Sequence, residues 1–85
     1  MDEIRLFVEN FLNDEVTEAE VSEFAIELPE RLIMEESHLE EESPQANAIL
    51  QKELPDICES WEPGNSIEDF KARIKDVCSR AVLEY

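Results

Sequence analysis

The chain has 85 residues, enough for one small domain (1–85) with a single modest core that buries roughly 60–65 % of the unfolded surface. Its longest apolar run is three residues, where a membrane-spanning helix needs about 20, and a single Gly argues against a turn-rich β fold. Twenty-three acids against seven bases give a net charge of −16, which excludes a nucleic-acid-binding or anionic-membrane role and points to a basic partner.

The first helix is expected from about Asp2 to Asn13, with Ile4, Phe7, Val8, Phe11 and Leu12 on one stripe. Thr17-Glu18-Ala19-Glu20 forms a capping box, in which the Thr hydroxyl accepts from the N3 amide while the Glu reaches back. It opens a second helix whose apolar positions are Val21, Phe24, Ala25, Leu28, Leu32 and Ile33. Pro29 removes an amide inside that run and should kink or split it. Glu35 to Glu42 carries five acids in eight residues with no apolar period, and a loop is expected there. Ser43-Pro44 pairs an N-cap with a proline at the first helical position. The third helix then turns Ile49, Leu50, Leu54, Ile57, Cys58 and Trp61 inward, with a kink at Pro55 and an end at Pro63-Gly64-Asn65. Ser66-Ile67-Glu68-Asp69 starts a fourth helix with core positions Ile67, Phe70, Ile74, Val77, Cys78 and either Ala81 or Val82. The expected fold is all-α, a small antiparallel four-helix bundle.

Little in the chain supports catalysis. His38 sits among acids without a nucleophile or pocket beside it, which suits an exposed imidazole better than a catalytic one. Cys58 and Cys78 fall on apolar stripes as small buried hydrophobes, and neither their number nor their spacing makes a disulfide framework or a zinc site. One Gly cannot build a phosphate-binding loop, an EF-hand loop is absent, and no Asp-Ser-Leu attachment site occurs. No enzyme activity, metal or cofactor is expected. The chain opens Met-Asp-Glu without a visible signal peptide, so a cytoplasmic location is expected.

The informative feature is a surface. Glu53, Asp56, Glu59 and Glu62 recur every three residues, about 4.5 Å apart along a helix and winding across the side opposite Leu54 and Ile57. A solvated helix face is the ordinary explanation. Against it stands the lack of compensation, since Lys52 is the only base in this segment. Acidity is also uneven: residues 1–66 hold 19 acids and 3 bases, whereas residues 67–85 hold 4 of each. Trp61 is placed in the core by its phase, although tryptophan is also enriched at binding hot spots.

Phe11-Leu12, Val16-Thr17, Glu20-Val21-Ser22-Glu23, Ser43-Pro44, Glu53-Leu54 and Glu59-Ser60-Trp61-Glu62-Pro63, in this order and spacing, resemble the colicin D immunity protein family. Immunity proteins of the same type occur in contact-dependent growth inhibition systems. The resemblance runs from about Ile4 to Leu83. It implies a four-helix bundle of the bacterial cytoplasm that binds a cognate tRNA-cleaving toxin domain, 1:1, and covers its basic active site with carboxylates standing where substrate phosphates would lie. The family's Glu-x-x-aromatic-Glu-Pro segment maps onto Glu59, Trp61, Glu62 and Pro63, which with Asp56 and Glu53 make the expected toxin-binding set. Gly64 stands where the family carries an acid. Two other readings compete: an acidic DNA mimic that sequesters a DNA-binding protein, and an adaptor whose acidity is incidental.

Overall fold

The computed structural model describes residues 2–84 as five helices, with no strand among the described residues. They are α1 (Asp2–Asn13), α2 (Glu18–Met34), α3 (Glu36–Glu42), α4 (Pro44–Ser60) and α5 (Ile67–Glu84). Three of the starts are written in side-chain chemistry. Thr17 Oγ1 accepts from the Glu20 amide at 3.3 Å while Glu20 Oε1 accepts from the Thr17 amide at 3.3 Å, so the capping box closes in both directions. Ser43 Oγ accepts from the Ala46 amide, and Ser66 Oγ from the Asp69 amide at 3.2 Å. Ser43 also donates to the Glu84 carbonyl at 3.0 Å, which fastens the start of α4 to the end of α5.

The acidic stretch is not a loop. Residues 36–42 form α3, and the helix count is five rather than four. Glu35 ends α2 and begins α3 at once: its amide donates to the Arg31 carbonyl at 3.0 Å and its carbonyl accepts from Leu39 at 2.9 Å. Glutamate is a good helix former, and Leu39, the one aliphatic residue of the segment, is only 1 % exposed. A single burial in eight residues leaves no period to detect. It nevertheless holds the turn against α4 and α2.

Neither internal proline splits its helix. α2 runs through Pro29 and α4 through Pro55, although each ring removes the amide that would bond the carbonyl four residues earlier. Buried residues on both sides, Leu28 with Leu32 and Leu54 with Cys58, keep the flanking turns in register on the core.

α4 is the central element, packed against α5, α2 and α3. The core takes Ile4, Val8 and Phe11 from α1, Val21, Phe24, Leu28 and Leu32 from α2, and Ala46, Leu50, Leu54 and Cys58 from α4. Phe70, Ile74, Val77 and Ala81 complete it from α5. Phe7, Leu12, Ala25, Ile49, Ile57, Trp61, Ile67 and Cys78 are half-buried around this centre. One expected core position, Ile33, points outward; of the pair left open on α5, Ala81 is the residue that faces inward. Aromatic rings close one end. Phe24 stacks on Phe11 with centroids 3.8 Å apart, and Phe70 meets Phe11, Phe24 and Trp61 edge-on.

Candidate functional site

α4 ends earlier than its sequence pattern implies. Ser60 is its last helical residue, and Trp61 is the C-cap with extended backbone (φ −68°, ψ 132°). Pro63 favours extended backbone at the residue before it, and Gly64 takes φ +98°, a left-handed turn that side chains disfavour. Glu62 therefore lies beyond the helix, in the turn closed by the Asn65 amide on the Glu62 carbonyl at 3.1 Å. The Gly64 amide donates to Glu18 Oε2, pinning this turn to the start of α2.

The four acids do not form one free row. Glu53 receives a bidentate pair from Arg80, Nη1 to Oε2 at 2.9 Å and Nη2 to Oε1 at 2.7 Å, and Arg80 also reaches Asp76 at 3.1 Å. These hydrogen bonds, with Coulombic help from Arg80 and Lys52 outweighing desolvation, hold the Glu53 carboxyl below its ordinary range. Glu53 thus faces α5 and is compensated across the helix pair, which spacing along α4 could not reveal. Asp56, Glu59, Glu62 and Pro63 are exposed. Asp56 borders a shallow groove of about 420 Å³ with Arg73, Asp76 and Arg80. By helical phase Glu59 points away from the buried stripe of Leu50, Leu54 and Cys58.

Trp61 is half-buried and tied on two sides. Its Nε1–H donates to Ser22 Oγ at 3.1 Å, and its ring meets Phe70 at 5.4 Å between centroids. The indole thus positions the end of α4 against α2 and α5, while Glu59 and Glu62 flank it in the open.

A second acidic region carries more charge than the α4 set. Residues 18–42 hold ten Glu against one Arg. All of these glutamates are exposed except the half-buried Glu35. The one Arg is already engaged, since Arg31 bonds Glu27 at 2.9 Å and stacks over the Phe7 ring at 4.3 Å. The charge run itself was visible in the sequence, but a run in a loop has no geometry; as α2 and α3 it becomes a fixed surface.

The thiols have no reactive setting. Burial, with the Glu59 charge adding to it, pushes Cys58 up to about 12, and burial pushes Cys78 up to about 11, so neither carries much thiolate at neutral pH. His38 is exposed and pairs with Glu42 at 2.6 Å. Among the described residues no group of three or more His, Cys, Asp or Glu is placed to hold a metal ion, and no helix is long and apolar enough to cross a membrane. No protein-family model, no characterised protein and no solved structure matches the chain.

Proposed function

We propose that this chain is a non-enzymatic immunity protein that binds the basic active-site cleft of a tRNA-cleaving toxin domain, 1:1, in the bacterial cytoplasm. In this reading α1, α2, α4 and α5 are the antiparallel four-helix frame of the colicin D immunity type, with α3 as an added turn. The observation that carries it is uncompensated charge on a capped, well-packed frame: −16 in 85 residues, most of it exposed. A nuclease cleft is a concave cluster of cations built to hold polyanion, and fixed carboxylates are a substitute for that polyanion. Glu59 and Glu62, exposed on either side of the anchored Trp61, are the leading contacts, with Asp56 and Pro63 beside them. Glu53, already paired with Arg80, contributes by exchanging that partner for a toxin cation or not at all. Opposite potentials speed encounter towards 10⁸–10⁹ M⁻¹s⁻¹ at low salt, and charge-assisted bonds to Arg set register.

The test is binding to the domain encoded by the reading frame beside this chain's gene. A basic tRNase is expected there, inhibited by the wild-type chain. Glu59→Lys with Glu62→Lys should abolish inhibition and leave helix content unchanged. Full inhibition by that double variant removes the site assignment. A neighbouring frame encoding no nuclease, combined with capture of a DNA-binding protein, replaces the reading with the DNA-mimic one.

A further inference from the structure

Isoleucine is among the most frequently buried residues, yet Ile26 and Ile33 of α2 are 69 % and 68 % exposed. Seven residues apart, they share one azimuth to within about 20° and stand about 10 Å apart along the axis. That azimuth lies roughly 150° from Leu28, at the centre of the buried stripe. Half-buried Pro29 sits in the turn between them. α2 therefore has two apolar faces, and only the inner one is covered by its own chain.

The borders of the outer face define what could cover it. One edge carries Glu23, Glu27 and Glu30, all exposed. The other edge is marked by Ser22, which accepts from Trp61, and by the Leu32 carbonyl, which accepts from Gln51 Nε2 of α4 at 2.7 Å. α4 runs along this second edge, through Gln51 and Trp61. The result is an aliphatic strip with carboxylates along one edge and α4 along the other. An occupant must supply aliphatic side chains at its centre and cations at the margin over Glu23, Glu27 and Glu30. A second copy would set the same carboxylates against each other, with −16 on each chain.

We propose that the outer face of α2, centred on Ile26 and Ile33, is the apolar anchor for a cationic polypeptide presenting aliphatic side chains flanked by Lys or Arg. This rests on the proposed function only in taking a basic protein as partner, and it adds where the desolvated part of that contact lies.

The probe is a synthetic amphipathic helix of leucine and lysine, compared with a peptide of equal lysine content whose leucines are replaced by glutamine. Titration is followed by methyl NMR of the 85-residue chain and by calorimetry. The leucine peptide should shift the Ile26 and Ile33 methyl signals and bind at least about tenfold tighter than its control. Ile26→Asp with Ile33→Asp adds two negative charges, so binding by charge alone would tighten, whereas an anchor predicts a loss of about tenfold or more. Ile26→Gln with Ile33→Gln should reproduce the loss without changing charge, and circular dichroism should show both variants folded. Three results overturn the proposal: no binding by the leucine peptide, equal or tighter binding by the Asp variant, or self-association of the wild type that the Gln variant abolishes. None of these touches the Glu59 and Glu62 test, so the anchor and the immunity function fail separately.

Discussion

Leu39→Ala tests whether the acidic segment is a packed helix or a solvated connection. Leu39 is 1 % exposed and is the only residue of α3 in the core. Removing three buried carbons loses their transfer free energy and leaves a cavity, together about 2–4 kcal/mol for a leucine buried this completely. For 85 residues the unfolding entropy near the midpoint is about 180 cal/mol/K, so 3 kcal/mol lowers Tm by roughly 15 °C. The same change in a solvated loop would cost less than about 0.5 kcal/mol, or some 3 °C. Thermal melts followed by circular dichroism at 222 nm separate these outcomes easily. Glu41→Ala, an exposed neighbour on the same segment, serves as the control and should be nearly silent. A Leu39→Ala protein melting within 3 °C of wild type refutes the packing of α3 and, with it, the rigid α2–α3 acidic surface.

Trp61→Phe keeps a ring against Phe70 but loses the indole donor to Ser22, and chemical denaturation should report a cost of about 1 kcal/mol. Ser22→Ala combined with it should add little, because both changes remove one bond. Glu53→Gln should lower Tm at neutral pH. A carboxyl held below its ordinary range stabilises the fold above that range and loses the contribution as pH falls through its folded-state value, so wild type and variant should converge once the carboxyl is protonated in both states. A difference that persists there would mean the pair with Arg80 is not its source. Raising salt from about 0.01 to 1 M shortens the screening length from about 30 to 3 Å and should raise Tm, since self-repulsion dominates a chain with 23 acids and 7 bases. A falling Tm would show that the attractive pairs outweigh it.

Local chemistry was legible from the sequence. Thr17, Ser43 and Ser66 mark helix starts because a hydroxyl three residues before an amide is a short-range arrangement that needs no tertiary partner. The inward stripes around Val21, Leu50 and Ile74 were equally readable, since period 3.6 is a property of the helix itself. The net charge needs only counting. Only the tertiary structure decided the rest. Leu39 turns an acidic run into a helix through one long-range burial that leaves no periodic trace. Arg80, 27 residues away in sequence, takes Glu53 out of the acidic row, and Trp61 leaves α4 to bond Ser22 across the bundle. Ile33 fits an apolar pattern yet faces solvent, because the azimuth of a side chain follows from which face of α2 its neighbours cover. Spacing along one chain fixes which residues share a helix face. Which faces meet, and which charges are cancelled where they meet, is fixed by contacts between segments that are distant in sequence.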